Sequence, residues 1–387
     1  MAHYSKSDHS GAILPGATLG ILGSGQLGRM FAQAAARLGY RVHVYSPLAD
    51  SPTEQVADQA TVAEYDDIDE LTKFANAIEV VTLEFENVPT TAVETLSQHV
   101  PVRPSGKVQF VVQNRLREKL FLQQTGIACA PFAEVTTVEQ LATAVDKIGL
   151  PAVLKTAESG YDGKGQSKIT TPAEASTAWS SVDQVPAVLE GWVAFQRELS
   201  ILVARSPSGQ VAIHGPLAND HVNHILDVSL FPLAELDPIL DEAQQIGRKI
   251  VEALDLVGIC CIEFFLTVDG QLLVNEIAPR PHNSGHLTID ACLTSQFEQQ
   301  VRAICDLPLG SGESVVPAAM VNLLGELWEQ GEPNWQAVLS DPQVHLHLYG
   351  KADPRAGRKM GHLTVLAGTV EEAAQRALAA REQLTAS

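Results

Sequence analysis

The stretch Val274-Asn275-Glu276-Ile277-Ala278-Pro279-Arg280-Pro281-His282-Asn283-Ser284-Gly285-His286 decides the reading of this chain. A carboxylate stands at the end of an apolar run, and a guanidinium and two imidazoles follow within ten residues. Such a density of anion-binding groups at a strand end points to phosphoryl or carboxyl transfer. Upstream, Cys261 to Val274 reads as two apolar strands joined by the turn Asp269-Gly270, so that Glu263 and Glu276 can face one another. Two carboxylates held that close repel unless a cation sits between them, and oxygen ligands of this kind suit magnesium carried in on a nucleotide. Paired acids on a hairpin are usually solvated. Here the runs around both Glu are apolar, so the hairpin reads as buried, and buried acids need a partner.

Working outward, Ala152-Val153-Leu154-Lys155-Thr156 reads as an apolar strand ending in a lysine. It leads into Ala157-Glu158-Ser159-Gly160-Tyr161-Asp162-Gly163-Lys164-Gly165-Gln166, whose glycines free the backbone to wrap a polyphosphate while Lys155 and Lys164 supply positive charge. An ordinary flexible hairpin is the plainer reading. The loop does not match the Walker pattern, which argues against a P-loop fold. A lysine strand, a glycine-rich lid and then a two-Glu hairpin resemble the layout of an ATP-grasp domain.

Near the start, Thr18 to Leu22 reads as a strand, Gly23-Ser24-Gly25-Gln26-Leu27-Gly28 as a turn into a helix ending near Leu38, and Arg41 to Tyr45 as a second strand. This is a βαβ unit with a Gly-x-Gly-x-x-Gly turn. The acid that would hold a dinucleotide ribose is replaced by Ser46-Pro47, so NAD is disfavoured. The turn then either binds another phosphate or ribose group or is a tight strand-to-helix turn without a ligand.

At 387 residues the chain has room for two or three domains of about 100 to 200 residues each. Strands at Leu19–Leu22, Val42–Tyr45 and Val80–Leu83 alternating with helices imply an open parallel sheet, with its crevice at the strands' carboxyl ends, where Glu84-Phe85-Glu86-Asn87 falls. A helix is expected from about Lys107 through Leu122, and further strands at Ala187–Val193, Arg197–Ala204, Met320–Leu324 and Val344–Tyr349. A final helix spans about Val370 to Leu384. The expected domains are a loosely ordered extension over 1–17, an N-terminal open-sheet domain over 18–110, a middle domain over 111–317 and a small β-rich domain over 318–387. A formal charge of −20 argues against nucleic acid or an anionic membrane surface as a partner. No apolar run approaches the ~18 residues of a membrane span. Five cysteines without Cys-x-x-Cys spacing read as core thiols in a reducing compartment, the cytoplasm. Residues 1–16 lack the apolar core of a signal peptide.

Five ordered segments carry a family resemblance: Gly23 to Met30, Thr82 to Val88, Gly160 to Gln166, Asn275 to His286, and Gly357-Arg358-Lys359-Met360-Gly361-His362. From about Thr18 to at least Leu363 the chain resembles the N5-carboxyaminoimidazole ribonucleotide synthetases, ATP-grasp enzymes of purine biosynthesis. The resemblance implies α/β and α+β architecture: an ATP-grasp fold with a Rossmann-like N-terminal domain and a C-terminal β-rich domain. It implies an ATP-dependent carbon–nitrogen ligase in which ATP phosphorylates bicarbonate, and the resulting carboxyphosphate carboxylates the amine of 5-aminoimidazole ribonucleotide. By the same resemblance Glu263 and Glu276 match ligands of magnesium, with Asn275 beside them. Arg115, Lys155, the lid residues Gly160, Tyr161, Asp162, Gly163, Lys164, Gly165 and Gln166, and Glu190, Val193, Glu198 and His221 match positions around ATP. Arg280 and His282 match the groups that hold bicarbonate or carboxyphosphate, and Asp162 with Tyr161 falls near the amine. Gln26 and Glu84 match the ribose side, and Lys351 with Arg358 the 5′-phosphate. A homodimer is implied too. Two positions depart from the family pattern: Ala278 stands where many ATP-grasp enzymes carry a third metal-binding Asn, and Asp227 where members can carry Arg. Competing readings are another ATP-grasp carboxylase or ligase, a formate-using transformylase, or a catalytically silent nucleotide-binding subunit.

Overall fold

The computed structural model describes residues 11–158, 160 and 163–385. Its first sheet is wholly parallel, in the order β3-β2-β1-β4, with β1 at Thr18–Leu22, β2 at Arg41–Ser46, β3 at Gln59–Val62 and β4 at Val80–Leu83. Helices α1 (Gln26–Arg37), α2 (Ile68–Asn76) and α3 (Thr90–Ser97) cover it. β1, β2 and β4 are buried along almost their whole length because both faces are packed, Met30 and Phe31 on one and Tyr45 and Phe74 on the other. β3 went unread in the sequence: it is a short, polar, mostly exposed edge strand with no hydrophobic period to detect. The expected extension is anchored at its described end, where Ile13 donates its N–H to Cys305 O at 2.9 Å. Residues 1–10 lie outside the described residues.

The single helix expected over Lys107 to Leu122 is two: α4 (Gly106–Val112) and α5 (Arg115–Gln124). Asn114 leaves helical geometry and accepts the Arg117 N–H on its side chain, an N-cap that restarts the chain in a new direction. A second, antiparallel sheet follows in the order β5-β8-β6-β7, with β5 at Phe132–Val135, β6 at Ala152–Thr156, β7 at Gln166–Ile169 and β8 at Ala187–Gly191. Helices α6 (Val138–Ile148) and α7 (Ala175–Ser181) bury one face of it around Leu141, Leu154 and Trp179.

The third sheet has eight strands in the order β13-β12-β9-β10-β11-β14-β16-β15. They are β9 (Phe195–Arg205), β10 (Val211–Val222), β11 (Ile225–Phe231), β12 (Gly258–Thr267), β13 (Leu272–Ala278), β14 (Ala318–Leu324), β15 (Val344–Leu348) and β16 (Lys359–Leu366). The strands after residue 317 thus extend the sheet begun before it, through the antiparallel pair β11–β14. Helix α8 (Leu240–Ala253) packs on one face of the β9–β12 region. Beyond the short α9 (Thr288–Ala291), α10 (Gln296–Ile304) lies between that sheet and α1, placing Phe297, Val301 and Ile304 in the core of the first sheet. α11 (Trp335–Leu339) and α12 (Val370–Gln383) close the C-terminal end over Val321 and Val365. Arg381 of α12 makes a two-point pair with Asp227, which accounts for an acid at that position: it anchors the last helix to β11. Among the described residues no helix is long and apolar enough to cross a membrane.

Candidate active site

All three sheets wall one cavity of about 1060 Å³. At one end β8 and β6 place Glu190 and Lys155 side by side, Nζ to Oε2 3.0 Å, with Lys119 Nζ at 3.7 Å from the same oxygen. Burial pushes the Glu190 carboxyl up, but Lys155, Lys119 and Arg115 outweigh it and hold it down at about 2. Its Oε1 has no partner among the described residues. Trp192 and Val193 line this end, as do Phe195 and Phe265, whose rings stack with centroids 4.8 Å apart, a flat apolar wall of the kind that holds a base. Nearby His221 Nδ1 meets Glu198 Oε2 at 2.8 Å; burial lowers the imidazole but the carboxylate raises it further, so the ring is biased toward its charged form.

In the middle of the cavity Glu263 of β12 stands opposite Glu276 of β13, as the hairpin reading expects. Burial and then the charge of Glu276 push the Glu263 carboxyl up to about 7. Asn275 Nδ2 donates to Glu263 Oε2 at 3.3 Å, and Arg115 Nη1 donates to Glu276 Oε2 at the same distance. Among the described residues no group of three or more His, Cys, Asp or Glu is gathered to hold a metal. Two facing carboxylates, with Glu263 pushed up by burial and by the charge of Glu276, fit a hard divalent cation, which takes oxygen ligands.

The described residues of the glycine-rich loop expected as a lid border the cavity. Gly163 and Gly165 take φ values of +80° and +70°, which side chains rarely adopt. Gly163 sits against His224, where an added Cβ would lie 2.7 Å from the His224 side chain. Gly160, Gly163, Lys164 and Gln166 line the cavity, and Gly160 O accepts from Arg115 Nη2 at 3.2 Å. Tyr161 and Asp162 lie outside the described residues.

The opposite end is the carboxyl edge of the first sheet. Glu84, only 7% exposed, takes Gly25 N–H on Oε2 at 2.5 Å and Leu27 N–H on Oε1 at 3.0 Å. An internal carboxylate therefore occupies the donors at the start of α1 that a dinucleotide phosphate would use, while Gln26 remains in the cavity wall. Between the two ends, Arg280 Nε donates to Glu86 Oε2 at 2.6 Å and Nη2 to Glu86 Oε1 at 3.0 Å. Burial raises the Glu86 carboxyl but Arg280 more than offsets it, keeping the acid ionised. Glu86 carried no assigned role in the sequence because its partner lies 194 positions away. His282 turns Nε2 toward Glu263 Oε1 at 3.5 Å and shares Nδ1 with Ser284 Oγ at 2.9 Å. Burial and the nearby Arg280 hold its imidazole well below the usual range, so it is neutral.

Of the basic cluster, Lys359 lines the cavity, whereas Lys351 and Arg358 are not in its wall. Lys351 Nζ donates to Lys359 O at 2.6 Å, and Arg358 Nη1 to Asp353 O at 2.6 Å. Lys119 is a buried cation the sequence does not single out; in Arg115-Leu116-Arg117-Glu118-Lys119 charged and apolar residues mix without a clear buried face.

The sequence matches the ribonucleotide synthetase preATP-grasp domain over residues 16–113, the ATP-grasp domain over 120–297 and the phosphoribosylaminoimidazole carboxylase C-terminal domain over 318–376. The fold and these matches define an ATP-grasp enzyme. The N5-carboxyaminoimidazole ribonucleotide synthase of Bacillus subtilis (strain 168) is 43% identical over 358 residues, 92% of each chain. An N5-carboxyaminoimidazole ribonucleotide synthetase solved as an ADP complex superposes with a TM-score of 0.92 at 41% identity, covering 96% of this chain and 98% of that one. The Aspergillus clavatus enzyme, solved with ADP and 5-aminoimidazole ribonucleotide, gives 0.87 at 31% identity, covering 95% and 98%. The chain belongs to the N5-carboxyaminoimidazole ribonucleotide synthase family.

Proposed function

We propose that this protein carboxylates 5-aminoimidazole ribonucleotide at its exocyclic amine in an ATP-dependent ligase reaction of purine biosynthesis. The observation that carries this reading is one cavity walled at one end by the Lys155–Glu190 pair and the Phe195–Phe265 wall, and at the other by the Gly23 turn and Glu84. A nucleotide and a second substrate can thus meet at Arg280 and Glu276.

In the first step a bicarbonate oxygen attacks the γ-phosphorus of ATP and the bond to the β-phosphate bridge breaks, releasing ADP and leaving carboxyphosphate. In the second, the amine nitrogen attacks the carboxyl carbon, inorganic phosphate leaves, and the amine gives up a proton. Lys155, Arg115, Lys164 and the lid backbone through Gly165 are assigned to the phosphates. Glu190, Val193, Glu198 and His221 are assigned to the adenosine. Glu263, Glu276 and Asn275 would hold Mg²⁺, which when bound offsets the charge crowded on the transferring phosphoryl group. Arg280 and the neutral His282, a hydrogen-bond donor on one nitrogen, are assigned to bicarbonate and carboxyphosphate. Asp162 and Tyr161 are assigned to the amine, Gln26 and Glu84 to the ribose, and Lys351 with Arg358 to the 5′-phosphate. A cytoplasmic homodimer is the proposed state.

The test is ADP release measured with each substrate omitted in turn. Release that needs both bicarbonate and 5-aminoimidazole ribonucleotide, with labelled bicarbonate carbon in the product, is expected. Release that proceeds with formate in place of bicarbonate, or without the ribonucleotide at the same rate, overturns the assignment.

A further inference from the structure

Strand β13 lies at the edge of the eight-stranded sheet, and among the described residues its outer side meets only an isolated bridge, in which Val274 N–H donates to Ala128 O at 2.9 Å. Its pairing with β12 slips once: Glu263 faces Glu276 but Phe264 faces Val274, leaving Asn275 as an extra residue. This is a β-bulge. In a regular strand, neighbouring side chains point to opposite faces. With the bulge, Asn275 and Glu276 both line the cavity and the Asn275 amide reaches Glu263.

Helix α5 holds that irregular stretch from outside. Lys119 Nζ donates to Asn275 O at 2.9 Å, and Ile277 N–H donates to Glu118 Oε2 at 3.1 Å, so backbone groups on both sides of Glu276 are held by side chains. Both are buried, Lys119 at 1% exposure and Glu118 at 3%. Burying two ionisable groups is costly unless each is hydrogen-bonded, and apolar residues would fill the same space more cheaply. Lys119 also stands 3.7 Å from Glu190, on the adenosine side of the cavity.

We propose that Lys119 and Glu118 are positioning residues: they pin the β13 bulge so that Asn275 and Glu276 both face the metal–nucleotide site. The inference rests on the reading of Glu276 as a metal-facing acid. Groups that orient metal ligands typically matter by about 10- to 100-fold in metal affinity.

The experiment measures ADP affinity by calorimetry with Mg²⁺ and with chelator, together with hydrogen exchange of the Asn275–Ile277 amides. Glu276→Gln serves as the reference and is expected to abolish the gain in affinity that Mg²⁺ confers; if it does not, the metal reading itself fails. Given that loss, Lys119→Met is expected to cut the Mg²⁺-dependent gain by about tenfold or more, to leave chelator-condition affinity near wild type, and to speed exchange in β13. A lowered melting temperature with the Mg²⁺ gain intact, or an equal loss with and without Mg²⁺, overturns the proposal; the latter places Lys119 in the Glu190 pair alone. Should Lys119→Met not fold, Glu118 decides: Glu118→Ala is expected to lose the gain and Glu118→Gln, which keeps the acceptor, to restore it. Equal gains in those two variants overturn the proposal.

Discussion

Arg280 and Glu86 form a planar two-point pair between the third sheet and the end of β4, with side chains 18% and 22% exposed. The fork holds the guanidinium where bicarbonate is assigned to meet the transferring phosphoryl group. Arg280→Lys keeps the charge but not the fork, so one of the two donor bonds to Glu86 is lost and the remaining ammonium is free to rotate. At about 1.5 to 3 kcal/mol for a hydrogen bond to a charged group, the expected loss in carboxylation is on the order of ten- to a hundredfold. ADP affinity should stay near wild type, because the adenosine-side groups lie on β8, β9 and β10. Calorimetry and carboxylation measured in parallel check this; normal carboxylation, or ADP binding lost in step with activity, counts against the role of Arg280.

The turn between β1 and α1 is an element whose ligand is built in. Glycine is needed at Gly25 because an added Cβ would lie 2.5 Å from Glu84 Oε1, the same carboxylate that receives the Gly25 and Leu27 N–H groups. Gly25→Ala should therefore push Glu84 from its seat and leave buried donors unmet, costing about 1 to 3 kcal/mol. Because Gln26 and Glu84 belong to the ribose side in our reading, the variant should raise the apparent KM for the ribonucleotide and leave ADP affinity unchanged. Steady-state kinetics with each substrate varied, beside calorimetry with ADP, separates the two. A rise confined to the KM for ATP would assign the turn to the wrong substrate.

For the whole molecule, buried titratable groups pull stability in opposite directions with pH. Glu263 and Glu118 titrate near 7 and 8 in the folded protein, both pushed up first by burial. An acid raised on folding stabilises fully below its unfolded pKa of about 4.3, and that contribution is lost as pH rises through the folded value. Burial lowers His214 to about 4 and holds His282, His286 and His362 well below the usual range. These imidazoles contribute stability above the ordinary value of about 6.5, lost as pH falls. Thermal melts of the ligand-free protein should peak near pH ~6.5 and decline on both sides. Glu118→Gln should flatten the decline toward pH 8, and a melting curve unaltered by that change would show that the Glu118 carboxyl does not carry it.

The chain order of its motifs, read without coordinates, already specifies the strand carrying Lys155, the glycine-rich loop after it, the facing Glu263 and Glu276, and the open parallel sheet. Those features are local: apolar runs, turn residues and short spacings are written into neighbouring positions. The sequence suggests one helix across Asn114 because no Pro or Gly marks the break, which one polar side chain makes by capping the backbone. What only the tertiary structure decided is who meets whom over long separations. Glu86 pairs with Arg280, Glu84 fills the donors of the Gly23 turn, Lys119 holds the Asn275 bulge, and β14 joins β11 so that the C-terminal strands share the sheet of the middle domain. Hydrophobic periodicity tells which face of an element is buried, but it does not encode which distant charge the fold will bring against that face, or the one-residue slip that turns Asn275 into the site.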